Sequence, residues 1–142
     1  MLNPVTAEFI SQLQRLLPAA AFPELGDKYL TEPRGYYRGS AGLLVAPDST
    51  AQVAQVIAAA AAARVGVVPY GGGTGLVGGQ ILPESTTDAP APLILSLGRM
   101  RRIRACYPAE NVLVAEAGAV LAEVQQSAAD VDRLFPLSLA SE

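Results

Sequence analysis

The sequence predicts an α+β (α/β) domain in which a small mixed sheet is flanked by helices. The chain has 142 residues and is 51% hydrophobic, which suits one domain with a buried core. A strand, a helix and a second strand follow one another within about thirty residues, as in a βαβ unit. Further along, two short apolar strands separated by a turn indicate a hairpin.

Residues 1–40 are predicted to form a helix followed by irregular structure. Apolar side chains recur at helical spacing at Phe9, Leu13, Leu16 and Leu17. Pro18 ends this pattern, and the stretch from there to Arg38 is rich in Pro, Gly, charge and Tyr without a period. We therefore place the main domain at residues 41–142.

The βαβ unit begins with the apolar run Leu43–Ala46 and ends with the strand Val67–Tyr70. Ser49 with Gln52 three residues later is a capping box, in which each side chain satisfies a free amide of the first helical turn. Gly66 is predicted to close the helix in the left-handed conformation. The two strands of such a unit are parallel.

The second half is predicted to continue with a strand at Leu93–Leu97 after a polar, proline-rich loop at 84–92. Ile103–Tyr107 and Val112–Glu116 are expected to pair as the hairpin. A helix at Val120–Ala129 follows.

The charge and composition of the chain exclude several classes of function. The formal net charge of -3 provides no broad positive field, so we expect no nucleic-acid partner, and no apolar run is long enough for a membrane span. Cys106 is the one cysteine and the chain has no histidine. Disulfides, thiolate metal sites and the commonest general base are therefore excluded, and we expect neither a catalytic residue nor a metal site. A reducing, cytoplasmic location is expected.

The most informative segment is the glycine loop, Gly71–Gly79, which directly follows a predicted strand and has glycine at six of its nine positions. Such a loop can turn successive amides into a concave anion site, and the Thr74 hydroxyl can add a donor. The alternative is a tight, mobile connection without a ligand, but a turn needs only one or two glycines. We therefore expect a phosphate group as the ligand of this loop.

Gly73, Gly75 and Gly78 match the spacing of the Rossmann dinucleotide motif, but that motif requires a helix after the loop. Gly79 and three nearby prolines oppose such a helix. Gln80 follows where a P-loop needs Ser or Thr, and no Lys precedes it. The loop is therefore predicted to bind through backbone amides, without a helix.

The segment from Pro69 to Gln80 resembles the glycine segment of FAD-linked oxidases of the vanillyl-alcohol-oxidase type, in the branch of D-lactate, glycolate and D-2-hydroxyglutarate dehydrogenases. Arg34–Gly39 before it and Pro136–Glu142 after it are similar in the same order. The resemblance implies the N-terminal subdomain of the two-part FAD-binding fold of the p-cresol methylhydroxylase (PCMH) type. It also implies that this domain is truncated at its C-terminal end.

The resemblance carries cofactor-binding roles onto matching positions of this chain. These are Pro47, Pro69, Tyr70, Gly71, Gly72, Gly73, Thr74, Gly75, Leu76, Gly79, Pro136, Ala140 and Ser141. FAD is expected to be held non-covalently, because the chain has no histidine and Cys106 lies in no attachment motif.

The implied function is the FAD-binding portion of a dehydrogenase or oxidase that acts on a 2-hydroxy acid, inactive as this fragment. Its expected partners are FAD, the hydroxy acid and an unidentified electron acceptor, and the truncated face is expected to favour self-association. The alternative is a non-catalytic nucleotide- or anion-binding module. Sequence alone does not identify the hydroxy acid or the oligomeric state.

Two groups of charged and aromatic residues have open roles. The arginines at positions 99, 101, 102 and 104 are expected to form a solvated strand edge rather than a phosphate site. The segment Arg34–Arg38 could reach toward a substrate or pack against another part of the protein.

Overall fold

The computed structural model describes residues 1–82 and 90–139. Helix α1 spans Ala7–Leu16 and begins at Thr6, whose hydroxyl accepts a 3.2 Å hydrogen bond from the amide of Phe9. Phe9 and Leu13 are buried, as the spacing predicts, whereas Leu16 is partly exposed. The predicted N-terminal helix is confirmed.

The segment after α1 contains two single-turn 3₁₀ helices, Ala19–Ala21 and Asp27–Tyr29, and otherwise irregular chain. An antiparallel bridge between Thr31 and Arg38 then closes a turn, here called the arginine turn, residues 31–38. No regular element longer than three residues occurs between 17 and 42, which agrees with the absence of a sequence period.

Helix α2 spans Thr50–Ala63 and begins at the predicted cap, where the Ser49 hydroxyl accepts from the amide of Gln52 at 3.4 Å. The helix ends at Arg64, which takes the left-handed conformation with φ of 55°. Its amide donates to two carbonyls of the last helical turn. The prediction that Gly66 closes this helix is therefore wrong, because the chain turns two residues earlier.

Three strands form a parallel sheet: β1 (Leu43–Val45), β2 (Val67–Tyr70) and β3 (Leu93–Ser96). Their order is β1, β3, β2, so β3 lies between the two strands of the predicted βαβ unit. All four residues of β3 are buried, as a central strand covered on both faces requires.

Strands β4 (Ile103–Tyr107) and β5 (Val112–Ala115) form the predicted hairpin, and helix α3 spans Leu121–Ala129. The hairpin is a separate two-stranded antiparallel sheet. The α+β fold class is confirmed, with the parallel and antiparallel pairings in different sheets. The expected loop at 84–92 falls mostly outside the described residues.

Side chains on alternate positions of the parallel sheet enter two different cores. On one face, Val45, Leu93 and Leu95 pack with Phe9 of α1 and Val56 of α2. The opposite face carries a smaller cluster, whose buried members are Leu44, Tyr70 and Ile94. This arrangement fixes the sheet rigidly and leaves the chain after each strand to form loops. Within 1–82 and 90–139, no helix combines the length and apolarity needed to cross a lipid bilayer.

Candidate functional site

The candidate site lies at the carboxyl edge of the parallel sheet. Because β1, β2 and β3 run in one direction, the segments that leave them begin at the same edge, and Tyr70 pairs with Ser96 there. Pro47 follows β1 and the glycine loop follows β2. Ligands of open α/β sheets bind outside this edge, particularly where the strand order reverses.

The glycine loop contains bends and turns but no helix from residue 71 to residue 82. The prediction that separates it from a Rossmann motif is therefore confirmed. Gly73 and Gly78 have φ of +73° and +74°, a region that side chains resist. At these two positions, glycine is required by the backbone conformation itself.

The carbonyl groups of the loop are held by side chains of this chain. Gln80 Nε2 donates to the carbonyl oxygens of Gly73 at 3.2 Å and Gly75 at 2.8 Å. The guanidinium of Arg34 donates to the carbonyl oxygen of Leu76. Sequence analysis gave Gln80 no such role, because nothing local indicates that its amide reaches back over five to seven residues.

The amide groups of the same loop are differently placed. Among the hydrogen bonds within 1–82 and 90–139, none is donated by the amides of Gly72, Gly73, Thr74 or Gly75. Three of these residues are exposed and Gly73 is half-buried. A loop with three of its carbonyls bound by side chains and these four amides open presents donors, so its chemistry fits a phosphate or pyrophosphate.

Tyr70 supports the loop from below. Its hydroxyl donates to the carbonyl of Lys28 at 2.8 Å, and its ring meets that of Tyr29 edge-on with centroids 4.8 Å apart. Burial, and secondarily Tyr29, raises the pKa of Tyr70. The phenol therefore stays neutral near pH 7 and acts as a fixed support for the loop.

The other residues carried over from the resemblance are spread more widely. Pro47 is fully buried directly beyond β1, Pro69 is an exposed residue of β2, and Leu76 and Gly79 lie in the exposed part of the loop. Pro136 is exposed beyond α3, where the carbonyl of its neighbour Leu137 accepts a 2.8 Å hydrogen bond from Gln125.

The described residues thus give Pro136 a place beside α3, with no hydrogen bond to the glycine loop. Ala140 and Ser141 lie outside the described residues. The roles of Pro136, Ala140 and Ser141 in cofactor binding stay a prediction.

The arginines at positions 99, 101, 102 and 104, here called the arginine cluster, are ion-paired. Arg99 contacts Asp48 at 3.1 Å and also donates to the carbonyl of Ala46, which bridges it to the chain after β1. Arg101 contacts Glu123 at 2.5 Å. The four side chains range from one-third to about three-quarters exposed, but only Arg104 lies in a strand, so the expected solvated strand edge is instead a set of specific ion pairs.

Glu116 is the centre of the largest of these networks. Its side chain is only 1% exposed and accepts from Arg102 Nη2 at 2.9 Å, from the Arg102 amide at 3.0 Å and from Arg104 Nη2 at 3.2 Å. The Arg102 guanidinium first, then the Arg102 amide and Arg104, lower the pKa of Glu116 to about 2. This carboxylate is a structural anchor between the hairpin and the segment after β3.

A groove of about 420 Å³ lies between the hairpin and α3. Its lining is mainly apolar and includes Leu113, Ala128 and Phe135, with Cys106 at one side. Cys106 is half-buried, and its thiol lies 3.8 Å from the carbonyl of Ser127. The Cys106 side chain is therefore only partly covered.

The sequence of this chain is similar to those of known proteins. Residues 41–142 match a family described as an FAD binding domain. A probable D-2-hydroxyglutarate dehydrogenase of Oryza sativa subsp. indica is 35% identical over 108 residues, which are 76% of this chain and 18% of that protein. A D-2-hydroxyglutarate dehydrogenase of Bos taurus is 28% identical over 140 residues, 97% of this chain and 25% of that protein.

Solved structures share the fold. Alkyldihydroxyacetonephosphate synthase superposes with a TM-score of 0.75 at 17% identity, over 92% of this chain and 26% of that one. p-Cresol methylhydroxylase superposes with a TM-score of 0.62 at 14% identity, over 93% of this chain and 27% of that one. The PCMH-type fold implied by the resemblance is confirmed.

The expected cytoplasmic location is wrong. The relatives from rice, Arabidopsis thaliana and Bos taurus are named as mitochondrial proteins. The inference failed because a lone cysteine does not distinguish one reducing compartment from another.

The chain spans about a fifth to a quarter of the length of these curated relatives. The family match covers well over half of the chain, including β1, the glycine loop and the hairpin. FAD is the cofactor of this family. The chain therefore belongs to the FAD-binding domain family.

Proposed function

We propose that the chain forms the FAD-binding portion of a flavin-dependent dehydrogenase that oxidises a 2-hydroxy acid. The observation that carries the proposal is the glycine loop at the carboxyl edge of the sheet, where Gln80 and Arg34 bind the carbonyls of Gly73, Gly75 and Leu76 and the amides of residues 72–75 are open. A pyrophosphate offers acceptor oxygens to such amides without needing a helix or a lysine.

In this proposal, the amides of Gly71–Gly75 and the Thr74 hydroxyl donate to the pyrophosphate. Pro47 is fully buried beyond β1, so it would shape the backbone of the adjoining edge without presenting surface to the cofactor, and Leu76 and Gly79 would continue the loop beside the cofactor. Pro69 and Tyr70 position the loop at the end of β2, with Tyr70 anchored on Lys28. Pro136, Ala140 and Ser141 would approach from the segment after α3.

When bound, FAD supplies an acceptor for the hydride that leaves the hydroxyl-bearing carbon of the substrate. The residues of this chain contribute binding and orientation. With no histidine in the sequence, they supply no imidazole to take the hydroxyl proton. FAD would be held by these contacts alone, without a covalent bond.

The substrate class rests on relatives. Those from rice and Bos taurus are named D-2-hydroxyglutarate dehydrogenases, and one from Schizosaccharomyces pombe is named a putative D-lactate dehydrogenase. Both names describe oxidation of a 2-hydroxy acid. We propose the same class for a protein that contains this chain.

The competing function is a non-catalytic anion- or nucleotide-binding module. The flavin content of a protein that includes this chain separates the two. Gly73→Val in that protein tests whether the loop holds the flavin, with Gly26→Ala as control because a Cβ at Gly26 meets nothing within 4 Å. We expect the parent and the control to be yellow and the valine variant to lose its acid-releasable flavin. A colourless parent protein would favour the module.

We further propose that the isolated chain self-associates through the apolar groove beside the hairpin. Leu134 is 85% exposed at its rim, and Leu137 and Leu139 are also exposed. Contiguous apolar surface of this kind favours association in water. Light scattering should show a mass that rises with concentration, and a constant monomer mass would contradict the proposal.

A further inference from the structure

The arginine turn contains a buried carboxylate whose role is not explained by the sheet or its cores. The Glu32 side chain has no exposed surface and accepts hydrogen bonds from the Arg34 amide at 3.1 Å and the Tyr36 amide at 3.2 Å. It also accepts from Arg34 Nε at 2.8 Å. A buried charge is retained only when it is paired and hydrogen-bonded, as this one is.

Hydrogen bonding keeps Glu32 ionised. Burial raises its pKa, but the hydrogen bonds from the Arg34 guanidinium and the Tyr36 amide outweigh burial, and the pKa lies below its ordinary value. The turn therefore holds a fixed negative charge directly beside the arginine. That charge fixes the direction in which the guanidinium points.

Arg34 also reaches the glycine loop, because the same guanidinium donates from Nη2 to the carbonyl of Leu76. Its Cζ atom lies 4.9 Å from the centroid of the Tyr36 ring, a cation–π contact on its other side. The next residue, Tyr37, packs on Gly78, where an added Cβ would stand 3.4 Å from the ring. The turn therefore contacts the loop at two points.

These contacts divide the support of the loop into two halves. Gln80 holds the carbonyls of Gly73 and Gly75, whereas the arginine turn holds Leu76 and Gly78. Val77 between them is 90% exposed. The carbonyl of Gly78 also accepts a 3.0 Å hydrogen bond from the amide of Ile81, so the arginine turn holds the start of this distal half and Ile81 holds its Gly78 carbonyl.

We propose that Arg34 is a positioning residue that orders the distal half of the glycine loop, residues 76–79, by bridging Glu32 to Leu76. It acts on the ligand through the loop, and in this respect the proposal rests on the proposed function. Only a guanidinium can satisfy both partners at once, because its planar fork carries donors on Nε and Nη2, whereas a lysine presents one compact ammonium.

The test compares Arg34→Lys with the unaltered chain by ¹⁵N relaxation and by FAD titration. Lysine keeps the positive charge near the loop but removes the bridge. We expect order parameters of Val77, Gly78 and Gly79 above about 0.8 in the unaltered chain and below about 0.6 in the variant. FAD affinity should fall roughly tenfold, the equivalent of about one lost hydrogen bond.

Arg15→Lys is the matched control. Arg15 is exposed on α1, so this variant makes the same arginine-to-lysine change away from the glycine loop. It should alter neither quantity. If Arg34→Lys loses its dispersed amide spectrum, Glu32→Gln/Arg34→Gln replaces it, since the double variant leaves no unpaired buried charge. The same loss of order at residues 77–79 is expected.

Unchanged order parameters in either variant would overturn the proposal. Weaker FAD binding with unchanged order parameters would also overturn the proposal, because Arg34 would then act as a direct partner of the phosphates. If the unaltered chain binds neither FAD nor inorganic pyrophosphate, the proposed function fails, while the order parameters still decide whether Arg34 positions the loop.

Discussion

Gly73 lies directly over the hydroxyl of Tyr70. A Cβ built on Gly73 would stand 2.0 Å from the phenol oxygen and 2.5 Å from the ring carbon that bears it. The phenol cannot retreat, because it is buried and its hydroxyl donates to the carbonyl of Lys28. Both the conformation of Gly73 and its surroundings therefore exclude a side chain.

This contact predicts coupling between the two positions. Gly73→Ala should destabilise the fold by about 1–3 kcal/mol, because alanine must adopt a positive φ and displace the phenol. Tyr70→Phe should cost about 0.5–1.5 kcal/mol for the lost hydrogen bond to Lys28. In the double variant the phenol oxygen is gone, so the combined loss should be smaller than the sum by roughly 0.5 kcal/mol or more.

Urea unfolding of the four proteins measures this cycle. Gly26→Ala is the control, since that position has space for a Cβ and no positive φ. Strict additivity of the two free-energy changes would show that Gly73 and Tyr70 do not press on each other.

Gln80 provides a second test of the loop. Gln80→Glu removes the amide donor that reaches the carbonyls of Gly73 and Gly75 and adds a negative charge beside the proposed pyrophosphate site. FAD affinity should fall by at least about tenfold, since hydrogen bonds are lost and like charges repel. Gln14→Glu places the same charge on exposed α1 and should leave affinity unchanged. Equal affinities in both variants would contradict the assignment.

The local elements of this fold follow from local sequence signals. The cap at Ser49, the apolar periodicity around Phe9 and Leu13, and the turn signal before Val112 each act within a few residues, and each gave the correct element. The absence of a helix from residue 71 to residue 82, where the described segment ends, follows in the same way from Gly79 and nearby prolines.

Long-range relationships were not predictable in this way. The insertion of β3 between β1 and β2 depends on pairing between segments some 25–50 residues apart, for which the sequence has no local signal. Glu32 and Glu116 resemble ordinary surface carboxylates in the sequence. Glu116 pairs with Arg102, 14 residues earlier, whereas Glu32 pairs with Arg34 two residues on, inside a turn that has no sequence period, so neither network was predicted.

Glu116 predicts a pH dependence of stability. Its ordinary pKa is 4.5 and its pKa in the folded chain is about 2, since Arg102 first and Arg104 to a lesser extent favour the ionised form. The unfolded chain therefore binds the proton more readily. The contribution of ionised Glu116 to the free energy of unfolding is complete above about pH 5 and is lost as the pH falls through about 2.

Thermal unfolding measured between about pH 6 and pH 2.5 tests this dependence. The melting temperature of the unaltered chain should fall toward acid. Glu116→Gln should melt lower near neutral pH, and the difference between the two proteins should shrink as the pH falls. A difference that stays constant with pH would mean that the charge of Glu116 does not contribute.

The chain alone should not oxidise 2-hydroxy acids, even with FAD in excess. It has no histidine to accept the hydroxyl proton near neutral pH, and it spans only 18–25% of the relatives' length. Dye-coupled oxidation of D-lactate, glycolate and D-2-hydroxyglutarate is the assay. Turnover above that of a boiled control would contradict the expectation.

An NMR titration of the ¹⁵N-labelled chain with FAD tests most directly whether the glycine loop binds the pyrophosphate. We expect saturable shifts of the Gly72, Gly73, Thr74 and Gly75 amides, reproduced in part by inorganic pyrophosphate and abolished by Gly73→Val. Signals of the hairpin groove should stay in place. Shifts confined to that groove, or none at millimolar FAD, would contradict the claim that the glycine loop holds the pyrophosphate.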